Sequence, residues 1–332
     1  MEDRSFKAMV VTETSEKTFT KEIKDKAIGE LPAGEVTIKV SYSSLNYKDA
    51  LSATGNKGVT RNYPHTPGID AAGIVEDSTV NDFKSGEEVI VTSYDLGMNT
   101  SGGFGEYIRV PANWVVKRPE NLSLKESMIY GTAGFTAGLS VNALIHTVKP
   151  DDGEVLVTGG SGGVGSVAIS ILTKIGYEVV AVGGMTDEGG YLKGIGAKEV
   201  IQREDAADTS GKPVLKARWA GVIDTVGGDI LATAIKSTNY GGAVTCCGNA
   251  ASPDLPINVF PFILRGVRLL GIDSQNCPMD KRTLIWEKLA DEWKLDKLTD
   301  ISKEISLNEL DENIELMLQG KNKGRTIVDL SR

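Results

Sequence analysis

The chain has 332 residues, with 36 Lys and Arg against 45 Asp and Glu, for a formal net charge of −9. That length suits two domains with proper cores, and 40% apolar with 24% charged residues is ordinary for a globular protein. The acidic balance argues against nucleic acid or an anionic membrane as the general partner, so an anionic ligand must be held by local Arg, Lys or backbone N–H groups.

Taken in order, the N-terminus Met1-Glu2-Asp3-Arg4 lacks the basic-then-apolar layout of a signal peptide. No apolar run approaches the ~18 residues of a membrane span, and a cytoplasmic location is expected. Residues 7–11 and 35–43 read as strands, the second alternating with Val36, Ile38 and Val40 on one face. Leu31-Pro32-Ala33-Gly34 is a turn, and short strands follow at 73–75, 88–92, 105–110 and 115–118. This first stretch is mainly β, with turn signals spaced as in small barrels or sandwiches. After Pro119 the character changes, with helices expected over 124–130 and 136–145. Val155-Leu156-Val157 leads into glycines, and Val164, Val167, Ala168, Ile171, Leu172 and Ile175 then recur at helical spacing up to Gly176. Strands are expected at 178–182, 199–202, 222–225, 243–247 and 267–272, with a helix at 230–236. This is the α/β pattern of a doubly wound parallel sheet. Leu284, Ile285, Leu289 and Trp293 suggest an amphipathic helix over 282–293, and 325–330 reads as a last strand. Both tail segments are expected to return to the first domain, giving domains 1–122 and 123–272 and a returning segment 273–332.

The stretch 155–165 carries the chemistry. Gly160, Gly162 and Gly165 match G-x-G-x-x-G in the strand–turn–helix context that gives this motif meaning. Side chains there would keep a pyrophosphate from the backbone N–H groups and the positive helix end, and Gly165 lets the helix pack close to the strand. An NAD-type fold places Asp or Glu about 20 residues on, against the ribose hydroxyls. Here the next strand ends Ala181-Val182-Gly183-Gly184-Met185 and the first acid, Asp187, comes late. NADPH is therefore favoured over NADH, with Arg203 either the cation for its extra phosphate or a solvated loop residue. Adjacent Cys246 and Cys247, expected as small core residues, and isolated Cys277 form neither a disulfide framework nor a metal-ligand spacing. With only His65 and His146 besides, no metal site is expected.

These features resemble the medium-chain dehydrogenase/reductase superfamily at Ser44-Leu45-Asn46-Tyr47-Lys48-Asp49-Ala50, Pro67-Gly68-Ile69-Asp70, Gly131-Thr132-Ala133-Gly134-Phe135-Thr136-Ala137 and Thr158-Gly159-Gly160-Ser161-Gly162-Gly163-Val164-Gly165-Ser166. Asp224-Thr225-Val226-Gly227, Asn239-Tyr240-Gly241-Gly242, Pro261-Phe262-Ile263-Leu264-Arg265 and Gly324-Arg325-Thr326 continue the likeness. Together they are similar to the bacterial acrylyl-CoA reductase group within the zinc-free, quinone oxidoreductase-like branch. The resemblance implies a GroES-like catalytic domain, a Rossmann domain, NADPH as cofactor and a homodimer. Zinc alcohol dehydrogenases carry a cysteine ligand where this chain has Asn46-Tyr47-Lys48-Asp49, and Gly-His-Glu where it has Gly68-Ile69-Asp70.

By the same resemblance, Ser161, Gly162, Gly163 and Val164 take the pyrophosphate, and Gly183, Gly184, Met185 and Arg203 lie near the adenosine phosphate. Related reductases often show Ser-Gly-Arg at 183–185, and this chain lacks both that Ser and that Arg; Lys193 either compensates or is solvated. Asn249, Ser274 and Arg325 match positions that approach the cofactor, Arg325 being alternatively a strand-edge charge. The implied reaction is hydride transfer to an alkene conjugated to a carbonyl, with the developing enolate stabilised by hydrogen-bond donors. Asn46 and Tyr47 fall in the loop over the nicotinamide. Tyr47 either donates a proton or hydrogen bond or packs against the cofactor ring. Asp49 and Asp70 hold that loop through backbone hydrogen bonds or act as bases, the former being favoured, and Lys48 orients a substrate or faces water. Lys57, Arg61 and Arg265 are cations that could meet the phosphates of an acyl-CoA thioester, or ordinary surface charges. Reduction of small quinones and non-catalytic NADPH binding are the competing readings.

Overall fold

The computed structural model describes residues 2–184 and 190–332. The chain forms two compact units: one comprises the described residues through Thr132 with Gln275–Ala290 and Lys297–Arg332, the other those of Ala133–Ser274 with Asp291–Asp296.

In the first unit, β1 (Ser5–Ser15) and β2 (Thr18–Ala27) form an antiparallel hairpin. Strand β2 has no counterpart in the sequence reading. It alternates charges rather than apolar residues and buries no full face, so its pairing with β1 is what makes it a strand. β3 (Val36–Leu45), β4 (Asp70–Ser78), β5 (Glu88–Thr92), β6 (Tyr107–Val110) and β7 (Val115–Lys117) follow, with α1 (Tyr47–Ala53) between β3 and β4. Val36, Ile38 and Val40 of β3 enter a core with Val89, Val91, Ile108 and Val328.

α2 (Leu124–Ile145) carries the chain onward as one run broken at Gly131, whose φ of 51° and ψ of −156° are not helical. By length and composition it could cross a membrane, a correction to the reading of apolar runs, but 78% of its most apolar window is buried inside the protein. The second unit holds β8 (Val155–Val157), α3 (Gly163–Lys174), β9 (Val179–Gly183), α4 (Tyr191–Gly194), β10 (Glu199–Gln202), β11 (Trp219–Asp224), α5 (Gly228–Lys236), β12 (Thr238–Cys246), α6 (Phe260–Arg265) and β13 (Arg268–Gly271). Its strands are all parallel in the order β10-β9-β8-β11-β12-β13. The order reverses between β8 and β11, the switch point at which ligands bind in open α/β sheets. Cys246 ends β12 and Cys247 follows it; both are half-buried rather than core residues.

The tail adds α7 (Met279–Ala290), β14 (Ser302–Ser306), α8 (Leu310–Leu318) and β15 (Arg325–Asp329) to the first unit. The buried face of α7 is Arg282, Ile285, Trp286 and Leu289, while Leu284, expected on it, is exposed. β14, with one apolar residue in five, had no periodic signal. The large sheet runs β14-β15-β3-β4-β5-β7, with β6 paired to β3. Antiparallel pairing sets Thr326 opposite Leu45, which brings the first residue of β15, Arg325, to the end of β3.

Candidate active site

The end of β3 and the start of α1 rest on two fully buried carboxylates. Asp49 accepts hydrogen bonds from three backbone N–H groups: Asn46 at 2.8 Å, Gly68 at 3.2 Å and Ile69 at 2.8 Å. It thereby ties the first turn of α1 to the chain entering β4. Asp70 accepts from Ser44 Oγ at 2.6 Å, Asn46 Nδ2 at 2.8 Å, Thr132 Oγ1 at 2.6 Å and Thr132 N at 2.9 Å. Arg325, only 2% exposed, donates to Asn46 Oδ1 at 3.1 Å, Ser44 Oγ at 2.8 Å and the Ile129 carbonyl at 2.8 Å. The Thr132 hydroxyl proton goes to Asp70, so Ser93 Oγ, 2.9 Å from Thr132 Oγ1, is the donor of that pair.

Two acids against one guanidinium leave the cluster unbalanced, and burial raises the stakes. Asp49 is pushed up to about 7, first by burial and then by the charge of Asp70, against the pull of its backbone donors. Burial also lowers Arg325 from its ordinary value, opposed by Asp70 and Asp49.

The break in α2 makes this arrangement possible. An unbroken helix would engage the Ile129 carbonyl and the Thr132 N–H in its own ladder; here they serve Arg325 and Asp70. A Cβ on Gly131 would lie 2.5 Å from Asp70 Oδ2, 2.6 Å from Ser44 Oγ and 2.7 Å from Arg325 Nη2, so only glycine fits.

The structure thus separates the two residues expected to be catalytic. Asn46 is 8% exposed, with both ends of its amide held in the network. Tyr47, the first residue of α1, is 50% exposed. Arg325 is neither a strand-edge charge nor an open side chain; it braces the Asn46 loop. Lys48 Nζ reaches Gln275 Oε1 at 2.5 Å. Ser44, Ser93 and Thr132 were not expected to take part: Thr132 and Asp70 are 62 positions apart, and nothing local in the sequence signals their meeting.

In the second unit, the carboxyl ends of the parallel strands gather the expected dinucleotide residues. Gly162 is the N-cap of α3 with no side-chain cap. The N–H groups of Gly163, Val164 and Gly165 precede the first helical bond, from Ser166 N to Gly162 O at 2.9 Å, and have no backbone partner in the helix, as an anion site requires. A Cβ on Gly165 would fall 2.3 Å from the Gly159 carbonyl. Ser161 lies in the same turn. Buried Asp224, at the end of β11, braces it by accepting from Thr158 Oγ1 at 2.7 Å and Gly227 N at 2.9 Å. Gly183 pairs with Gln202, so exposed Arg203 follows at the same edge as Gly183 and Gly184. Met185 lies outside the described residues. Asn249 follows β12, exposed, and Ser274 follows β13. These residues fit a dinucleotide with a phosphorylated ribose.

Arg265 is engaged by backbone. Its guanidinium holds the carbonyls of Lys236, Thr238 and Leu215, near the amino end of β12. Lys57 pairs with Glu13 at 2.7 Å and lies over Tyr63, and Arg61 is exposed. Among the described residues, no group of three or more His, Cys, Asp or Glu could hold a metal ion.

A mainly β unit joined to a parallel sheet with an open glycine turn is the build of a two-domain nucleotide-dependent oxidoreductase. Residues 32–120 match the alcohol dehydrogenase GroES-like domain and residues 163–291 match the zinc-binding dehydrogenase family. The YhfP protein of Bacillus subtilis is 48% identical over 310 residues, covering 93% of this chain and 94% of that protein. Acrylyl-CoA reductase AcuI of Ruegeria pomeroyi is 42% identical over 328 residues, covering 98% and 99%. The crystal structure of Escherichia coli K-12 YhdH with bound NADPH matches with a TM-score of 0.94 at 44% identity, covering 97% of this chain and 99% of that one. That of Bacillus subtilis YhfP with NAD bound matches with a TM-score of 0.95 at 45% identity, covering 98% and 100%. The chain belongs to the medium-chain dehydrogenase/reductase superfamily, and it is an oxidoreductase similar to acrylyl-CoA reductases.

Proposed function

We propose that the protein is an NADPH-dependent reductase of carbonyl-conjugated double bonds, with short enoyl-CoA thioesters of the acrylyl type as substrates. The observation that carries the reading is the contrast at the start of α1: Asn46 and Asp49 are locked by the buried network while the intervening Tyr47 stands half-exposed. A rigid mount under one free hydroxyl is what a positioned donor needs. When bound, NADPH would supply the hydride for the β-carbon of the acceptor and leave as NADP⁺, and a proton from water at the α-carbon would complete the reduction. Tyr47 donates a hydrogen bond to the carbonyl oxygen as negative charge develops there, and Asn46, Asp49, Asp70 and Arg325 keep it in place. The open turn at Ser161, Gly162, Gly163 and Val164 holds the pyrophosphate, and Arg203 meets the adenosine phosphate beside Gly183 and Gly184. Asn249 and Ser274 approach the cofactor from the ends of β12 and β13.

Metal plays no part in this scheme. Asn46 has its amide engaged and Ile69 is apolar, so neither position offers a zinc ligand. Incubation with a chelator should leave kcat unchanged; its loss, restored by zinc, would refute the scheme. The enzyme works as a homodimer through the exposed edge of the second unit, and three free cysteines suit a reducing cytoplasm.

The test is NADPH oxidation with acrylyl-CoA and with a simple benzoquinone, compared as kcat/KM. A thioester value of ~10⁴ M⁻¹s⁻¹ or above, well ahead of the quinone, is expected. A quinone preference would make the protein a quinone reductase, and cofactor binding without turnover would make it a binding protein.

A further inference from the structure

The parallel sheet of the second unit has a thin place. Its crossover from β10 to β11 runs over the face that α5 covers further along, yet this link contains only a short turn at Arg203–Ala206 and irregular chain where a helix commonly packs. Beneath it lies a cavity of about 520 Å³, within the range of small-molecule sites (roughly 300–1,000 Å³). Its floor is apolar: Leu156, Val182 and Ile201 from β8, β9 and β10, with Trp219 at the start of β11. It spans the face of the sheet, whereas the glycine turn sits at the carboxyl ends of the strands.

The rim gives the charge. Lys216 lines the mouth, exposed and without an ion-pair partner among the described residues. Arg218 lines it too, stacked over Trp219 at 4.2 Å and already engaged by Glu154 and Glu199. Lys216 is thus the uncommitted cation over an aromatic and aliphatic floor, with Asp205, exposed on the turn, the acid among the lining residues.

We propose that this cavity is a second ligand site, for a small amphipathic anion with an aromatic or acyl body and its charged end at Lys216, and that its occupancy tunes cofactor affinity. The coupling is built into the chain and rests on the cofactor placement above. Val182 and Ile201 line the cavity, and the residues that follow them lead directly to Gly183 and Arg203. Asp205 and Ala206, in the same short turn as Arg203, also line it. A ligand that fills the cavity steadies the turn that presents Arg203, and by linkage the cofactor raises that ligand's affinity by the same factor.

The test uses the full-length protein and anilinonaphthalenesulfonate, an aromatic anion that fluoresces when shielded from water, titrated with and without saturating NADP⁺. Saturable binding that persists with NADP⁺ and tightens is expected. Lys216→Glu should weaken it by about fivefold, the scale of reversing one exposed charge, and Ala217→Trp, at the exposed mouth, should abolish it. Circular dichroism and NADP⁺ binding report whether each variant is folded. Complete displacement by NADP⁺ would place the dye in the cofactor site and overturn the proposal, as would two folded variants that bind like the wild type. Persistent binding of equal strength with and without NADP⁺ would overturn the coupling, and would leave the assignment of the cofactor residues untouched.

Discussion

At the scale of single residues, the site divides into one exposed group and the machinery that holds it. Tyr47→Phe removes the hydroxyl and leaves the ring, so it separates donation from packing. We expect kcat to fall by roughly 10²-fold or more with NADP⁺ affinity within about twofold, read by steady-state kinetics and calorimetry; unchanged kcat would leave Tyr47 a packing residue. Asp49 makes a pH prediction. Its folded value is about 7 against an ordinary 3.8, so between those values the folded state holds a proton the unfolded chain has released. Its contribution is fully present below 3.8 and is lost as pH rises through about 7. Asp49→Asn, which cannot ionise, should flatten that part of the curve of melting temperature against pH, although losing an acceptor lowers the curve as a whole. An unaltered slope would show that Asp49 ionises normally. None of this network could be read from spacing. Asn46, Tyr47, Asp49 and Asp70 were visible as a motif, but that Tyr47 stands exposed among three buried neighbours depends on burial, which residue type alone does not set.

Elements were legible where their patterns were strong. Strands β3 and β5 carry apolar residues that face a core, and the glycine turn with α3 has both a motif and a period, so these segments stood out. β2 and β14 lack an apolar stripe and owe their form to partner strands. The break in α2 shows the limit most clearly: two helices flanking Gly131 were expected, but not that the break frees a carbonyl and an N–H for buried charges. Gly131→Ala tests that use. The new methyl group would meet three polar atoms at 2.5–2.7 Å and force a side chain into φ of 51°. A loss of roughly 2–4 kcal/mol is expected from strain and overpacking together, read by urea unfolding. Any folded protein should also lose turnover more than NADP⁺ binding, because the damage falls on the mount of Tyr47. Gly165→Ala should show the reverse order: its Cβ would strike the Gly159 carbonyl at 2.3 Å, distort the glycine turn, and weaken NADP⁺ first.

At the scale of the whole molecule, the β13 side of the second unit is a face that the described residues leave uncovered. β13 ends the parallel sheet, so one side of it has unpaired backbone groups, an edge that proteins rarely leave bare. Beside it, α6 exposes Phe260, Ile263 and Leu264, and Val259 and Tyr240 are exposed as well, Ile263 at 68% and Tyr240 at 85%. Large apolar side chains grouped in this way mark an interaction surface. The sequence reading anticipated a strand at 267–272, but it could not foresee that α6 would turn its apolar residues outward, since an apolar helix next to a strand ordinarily packs inward. A two-fold axis at the β13 edge, as proposed above, would satisfy both features at once, pairing the strands across it and covering each α6 with its counterpart. Hydrophobic burial then drives association while strand pairing fixes the register, which makes the two contributions separable. Replacing Ile263 and Leu264 together by Asp puts two charges per subunit into the contact and should yield a monomer at micromolar concentration by sedimentation. Leu270→Pro should weaken the dimer by breaking the regularity of the edge strand. A wild-type protein that sediments as a monomer would leave the face for another partner. A dimer that survives both Asp substitutions would place the axis elsewhere.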